Sequence, residues 1–217
     1  LTRPVGEAVA RALVGIFLEV VVAPAFDPAA LAVLATKPNL RLVVDPGLGG
    51  ELPVDAASLP ATGALRTAGG AVLLTTPDLA PDDPAAWTTV SRRAPTDVER
   101  RDLDLAWRLV RGVTSNAIVL VRDGMLIGLG SGQTSRVDAA RGAVEKARSL
   151  LGEARLRGAA CASDAFFPFP DAVEVCLAAG VGAFVQPGGS LRDADTVAAV
   201  DRAGATMLTT GIRHFRH

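Results

Sequence analysis

The last sixty residues alternate strand and helix so tightly that few folds can accommodate them. Residues 159–163, 182–186 and 205–209 are short apolar strands, and residues 170–179 and 192–203 between them are helices. Gly180 and Gly204 stand just past the two helices, where a residue free to take positive φ ends the turn. A strand–helix–strand–helix–strand run predicts parallel strands joined by right-handed crossovers, hence an α/β unit with a mostly parallel sheet. In such a sheet ligands gather beyond the carboxyl ends of the strands. Here that means residues 163–170, 187–190 and 210–217.

Upstream, Thr96-Asp97-Val98-Glu99 is a capping box. Leu103, Ala106, Trp107 and Val110 follow at helical spacing. Residues 116–121 and 125–129 are apolar strands joined through Arg122-Asp123-Gly124, and Asp-Gly is a strong hairpin signal. Ser135 and Asp138 open a further helix with Val137, Ala140, Val144, Ala147 and Leu151 as its stripe. Nearer the start, residues 6–19 carry Val9, Leu13, Ile16 and Phe17 at helical spacing, and residues 20–23 form a buried strand stopped by Pro24. Asp27-Pro28 starts a helix over 29–35, and 40–44 and 71–75 are strands. Residues 45–62 are loop. The Pro/Asp stretch at 77–84 is the best internal boundary, which predicts one unit over 1–90 and a second over 91–217.

With 217 residues, 49% of them hydrophobic, the chain can fill one or two cores. Its formal net charge of -1 gives no electrostatic case for nucleic acid or for an anionic membrane surface. No apolar run approaches the roughly 20 residues of a membrane span. Cys161 and Cys176 lack CxxC spacing and read as small buried apolar residues, in keeping with a reducing, cytoplasmic setting. The start, Leu1-Thr2-Arg3-Pro4, has neither an initiator Met nor a signal-peptide layout and reads as the middle of something longer.

The strand-end loops hold the chemistry. Asp164, Phe166, Phe167, Pro168, Phe169 and Asp171 crowd into one of them, and three of the chain's 7 phenylalanines are there. Such a loop either clamps a flat ring between carboxylates or anchors itself in the core. Gln186-Pro187-Gly188-Gly189-Ser190 either offers amides to an anion or, the favoured reading, is a tight turn capped by Ser190. Gly128-x-Gly130-x-Gly132 is not a dinucleotide motif, because position 133 is Gln where the third glycine is needed. Arg136 at a helix start suits a phosphate or carboxylate ligand, or else solvent. The tail 211–217 holds both histidines and follows directly from a strand, so it is either folded or a frayed end. No nucleophile motif is present. These features reach an α/β domain with an anion-and-ring pocket, and no reaction.

Five segments together resemble the transformylase domain of the bifunctional purine-biosynthesis enzymes, which formylate aminoimidazole carboxamide ribonucleotide and close the ring to inosine monophosphate. They are Thr114-Ser115-Asn116-Ala117-Ile118-Val119-Leu120, the run 130–138, the run 163–171, Gln186-Pro187-Gly188-Gly189-Ser190, and the closing Arg213-His214-Phe215-Arg216-His217. Order and spacing match over 92–217. Arg3-Pro4 and the run 19–24 extend a weaker likeness to the start.

The resemblance implies a cytidine-deaminase-like, three-layer α/β/α fold. Residues 1–90 would be the remainder of the first transformylase subdomain plus linker, and 91–217 the second subdomain. It implies a cytoplasmic homodimer whose substrates are a nucleotide and the cosubstrate 10-formyltetrahydrofolate. By matching position Asn116 is catalytic, stabilising charge on the transferring formyl group. Phe166, Pro168, Phe169 and Asp171 line the folate pocket, Arg136 and Arg213 hold anionic parts of the ligands, and Glu19 contacts substrate. Asp164, Ser190 and His217 neighbour a monovalent cation, potassium, in some members. One departure stands out. The family's catalytic Lys-His pair has no counterpart, since Lys37 and Lys146 are the only lysines and neither precedes a histidine. The 217 residues alone are therefore expected to be inactive in formyl transfer; the alternative is a non-catalytic binding or dimerisation module.

Overall fold

The computed structural model describes residues 1–46, 48, 64–68, 71–75, 78 and 81–216. They form two compact units, Leu1–Pro77 and Asp78–His217.

The first unit runs α1 (Glu7–Val14), β1 (Val20–Ala23), α2 (Pro28–Leu34), β2 (Arg41–Val44), β3 (Ala64–Ala68) and β4 (Ala71–Thr75). β1 and β2 pair in parallel, with Val20 opposite Arg41, and β3 and β4 form an antiparallel hairpin. Val5, Ala10, Ala23, Ala30 and Leu34 make its small core. Two expectations need correction. The first helix stops at Val14, where Gly15 caps it by donating to Ala12. Phe17 is left 90% exposed outside the helix, because glycine ends the element before the apolar spacing does. β1 is half-buried rather than buried, with Val21 and Ala23 inside and Val20 and Val22 outside, the period-two pattern of a strand covered on one face. The loop expected over 45–62 falls almost wholly outside the described residues.

The second unit begins with a 3-10 turn (Pro84–Ala86) and the two-residue β5 (Thr88–Thr89), then α3 (Asp97–Val110), β6 (Ile118–Arg122), β7 (Met125–Gly130) and α4 (Arg136–Leu151). A second 3-10 turn leads to β8 (Ala160–Ser163), α5 (Asp171–Ala178), β9 (Ala183–Gln186), α6 (Asp193–Arg202) and β10 (Thr206–Thr209). All the strands form one sheet in the order β5-β10-β9-β8-β6-β7. β8, β9 and β10 are parallel as expected. β6 is antiparallel to both its neighbours, and β5 is antiparallel to β10. The sheet is thus mixed, not mostly parallel. The βαβαβ signal governs only its centre, while a hairpin and a short leading strand supply the flanks.

Both faces are covered. Val119 and Val121 pack with Leu103, Trp107 and Val110 of α3, while Ile118 and Leu120 face Ala143 of α4 and Val173 of α5. α3 keeps its predicted capping box, with Glu99 N donating to Thr96 Oγ1 and Thr96 N to Glu99 Oε2. The β6–β7 turn takes positive φ at Asp123 and Gly124, and the buried Asp102 carboxylate accepts both their amides at 2.9 and 2.8 Å. The glycines of β7 are packing devices. A Cβ on Gly128 or Gly130 would overlap the carbonyl oxygens of Ala143 and Ala139, so α4 lies with its backbone against the strand. Cys161 and Cys176 are buried, and hydrogen bonding to Cys176 together with burial pushes the Cys161 thiol well above its ordinary range. Among the described residues no helix is long and apolar enough to cross a membrane.

Candidate functional site

The site lies where β8 ends, β6 begins and α4 starts. Asp164 follows β8 directly and is fully buried. Its carboxylate accepts from the Ser115 hydroxyl, from Ala117 N at 3.1 Å and from the Arg136 guanidinium. Ser135 caps α4 by accepting from Asp138 N, which places Arg136 at the first helical position. The Arg136 side chain is only 5% exposed and donates further to Ser163 Oγ at 2.8 Å and Ala117 O at 3.3 Å. Its other terminal nitrogen donates to Asn116 Oδ1 at 2.8 Å, and Asn116 Nδ2 donates to Gln133 O at 2.9 Å. The Asn116 carboxamide is oriented by these two contacts and keeps one N–H without a place in them.

Around Asn116 opens a cleft of about 510 Å³. Thr134, Ser135, Arg136, Val137, Ala165, Phe166, Pro168, Phe169, Asp171 and Phe215 complete its wall. The phenylalanine loop divides its labour. Phe167 is fully buried, and its amide donates to Gln186 Oε1 at 2.8 Å, so it anchors the loop. Phe166 and Phe169 turn outward and line the cleft; Phe169 is 52% exposed. The Arg213 guanidinium lies 5.4 Å from the Phe166 ring centre, and that of Arg192 5.6 Å from Phe169. Asp171 begins α5 at the cleft edge, where its carboxylate accepts from Ala172 N at 2.7 Å.

Six residues singled out in the sequence therefore meet: Asn116, Arg136, Phe166, Pro168, Phe169 and Asp171. Arg213 stands beside them on Phe166. The charge of Arg136 is met by Asp164 rather than left open. Glu19 belongs to the first unit, exposed just before β1. In the glycine turn the amides of Gly189 and Ser190 donate to Asp193 Oδ2 at 2.7 and 3.2 Å, and Ser190 Oγ accepts from Arg192 N. The turn's amides are taken within the chain rather than left for an anion, but Ser190 does not cap α6: the helix starts at Asp193 after Arg192, with no side-chain cap, and Ser190 bonds only two residues on. His217 lies outside the described residues, and among those described no cluster of three metal-ligating side chains occurs.

Sequence reasoning missed the surroundings of His214. This side chain is fully buried between Asp78 and Asp82 against the Trp107 ring. Nothing in the run Arg213-His214-Phe215, two polar residues followed by one apolar, signals that the histidine is the buried one.

Fold and site define an α/β protein with a ligand-sized cleft at its strand ends, walled by aromatic rings, one oriented amide and a carboxylate. The chain belongs to the AICARFT/IMPCHase bienzyme family, whose model matches residues 1–146. It is 45% identical over 217 residues to the bifunctional purine biosynthesis protein PurH of Anaeromyxobacter dehalogenans (strain 2CP-C). It is 46% identical over 217 residues to PurH of Parasynechococcus marenigrum (strain WH8102), and 47% identical over 221 to PurH of Chloroflexus aurantiacus. Each alignment covers 100% of this chain and 40% of the relative, so the chain spans about two fifths of their length. A solved deaminase/reductase from Thermotoga maritima aligns over 51% of the chain at 22% identity with a TM-score of 0.32, too little to carry an argument.

Proposed function

We propose that the chain is part of a purine-biosynthesis formyltransferase, and that its cleft binds the pterin ring of 10-formyltetrahydrofolate beside Asn116. The observation that carries this reading is convergence: Asn116, Phe166, Pro168, Phe169 and Asp171, picked out by the family's motifs from distant segments, line one cleft. A flat, partly polar ring suits aromatic walls with a carboxylate at the edge. In the transfer, the amine of aminoimidazole carboxamide ribonucleotide attacks the formyl carbon. The bond from that carbon to N10 breaks, the amine proton passes to N10, and tetrahydrofolate leaves. On this reading the remaining Asn116 N–H stabilises negative charge on the formyl oxygen.

Arg136 serves this step by fixing Asn116, and Arg213 is the exposed cation left for an anionic ligand group. Glu19 stands in the other unit, and its assignment to substrate rests on the resemblance alone. No step runs through a monovalent cation: the Asp164 carboxylate is filled by Ser115, Ala117 and Arg136. On this reading residues 1–90 are the end of one transformylase subdomain and 91–217 the next, both cytidine-deaminase-like, in a cytoplasmic homodimer. Helices on both faces of a mixed sheet support that fold.

The absent Lys-His pair favours a second statement, that these 217 residues bind without transferring. Calorimetric titration with 5-formyltetrahydrofolate tests the first. Saturable binding, lost in Asp171→Asn and Phe169→Ala, is expected, and an inert chain would refute it. Formyl transfer above background by the isolated chain would refute the second.

A further inference from the structure

Beyond β10 the chain runs through residues 210–216 with no strand partner of its own, yet it is pinned. His214 is fully buried, with Nδ1 2.6 Å from Asp78 Oδ2 and Nε2 3.0 Å from Asp82 Oδ1. Its ring centre lies 5.0 Å from that of Trp107, whose Nε1 donates to the same Asp82 oxygen at 2.8 Å. Arg111 donates to both carboxylates, at 3.3 Å each, and so braces the cage from outside. Main-chain bonds complete the attachment: His214 N donates to Asp164 O at 3.1 Å, and Ser115 N to Arg216 O at 2.8 Å.

The two neighbours of His214 project the other way. Phe215 lines the cleft and Arg213 lies over Phe166. His214 is buried while both its neighbours are exposed, so burying it leaves Arg213 over Phe166 and Phe215 on the cleft. A segment outside helix and sheet keeps its place only where it is tied down, because ordering its backbone costs conformational entropy. His214 is the buried side chain among the described residues 210–216, and Arg216 N donates to the buried Ser115 Oγ at 3.2 Å. This attachment at Ser115 also braces the residue before Asn116.

We infer that His214 is a positioning residue: a latch that seats residues 210–216 in the Asp78–Asp82 cage so that Phe215 walls the ring cleft and Arg213 lies over Phe166. The wall's use rests on the reading of the cleft as a folate site, whereas the latch itself is independent of it.

The test uses the 217-residue chain, with His214→Gln and Asp82→Asn as latch variants and Phe215→Ala as the wall variant. Hydrogen–deuterium exchange of residues 211–216 reads the latch, and titration with 5-formyltetrahydrofolate reads the wall. Both latch variants are expected to speed exchange of the tail at least about tenfold while β6 and β8 stay protected. They should also weaken binding about tenfold, to the level of Phe215→Ala. Unchanged tail exchange in both variants overturns the proposal. So does a freed tail with undiminished affinity. If the unaltered chain binds no folate, the functional reading fails, and tail exchange alone still decides the latch. If His214→Gln does not fold, Asp82→Asn, which keeps an oxygen for Trp107, decides it.

Discussion

Asp164 and Arg136 form an ion pair with both side chains withdrawn from solvent, 0% and 5% exposed, and the guanidinium passes its remaining reach to Asn116. A pair this deep orders the site at the expense of desolvating two charges, so each partner depends strongly on the other.

Removing one member should be severe. Arg136→Gln leaves a fully buried carboxylate without its cation and is expected to lower the unfolding free energy by about 3–5 kcal/mol. Guanidinium titration followed by far-ultraviolet dichroism measures it. A loss under about 1 kcal/mol would mean that the carboxylate finds water.

The phenylalanine loop offers a sharper contrast. Phe167→Ala empties a core position and should cost about 3–5 kcal/mol of stability. Phe169→Ala removes a ring that is 52% exposed and should change stability by no more than about 0.5 kcal/mol while abolishing folate binding. Thermal melts paired with calorimetry separate the two.

Gly130→Ala introduces a Cβ into the space of the Ala139 carbonyl and forces α4 off β7. The expected penalty is about 1–3 kcal/mol, measured by denaturant titration. Gly142→Ala, in α4, meets only the Gly130 Cα at 3.9 Å and should be neutral or stabilising.

Acid should reach the Arg93–Glu99 pair only below the ordinary carboxyl range. Burial pushes the Glu99 carboxyl up, but hydrogen bonds from Arg93 and Thr96 outweigh it and hold the group below its ordinary value of 4.5. A depressed carboxyl stabilises the fold fully above that value and loses its contribution as pH falls through the folded one. Glu99→Gln should therefore cost about 1–2 kcal/mol at pH 7, a range discounted because the Arg93 side chain is 36% exposed. The gap from the unaltered chain should close as pH falls below 4.5. A gap independent of pH would assign the loss to packing.

Local chemistry was legible in the sequence, and distant pairing was not. The Thr96–Glu99 box and the Asp123-Gly124 turn announce themselves because every group they need lies within a few residues. The cleft residues were legible only as motifs, since nothing in Phe166 or Phe169 says which ring turns outward. Arg136 left solvent and ligand both open because Asp164 is 28 residues away. The His214 cage lies further out of reach, with its carboxylates 136 and 132 positions upstream. Ile16 and Phe17 misled for the opposite reason: their spacing is helical, but Gly15 ends the helix before them.

The reversal of β6 within the sheet decides where chemistry can occur. Because β6 is antiparallel to β8, Ile118 at its start sits opposite Ser163 at the end of β8. Asn116 just before one strand and Asp164 just after the other are thereby delivered to the same rim. Were β6 parallel to β8, its entry point would be at the opposite rim, roughly 15 Å away at 3.3 Å per residue. The amide and the carboxylate that fixes its guanidinium partner would then never meet.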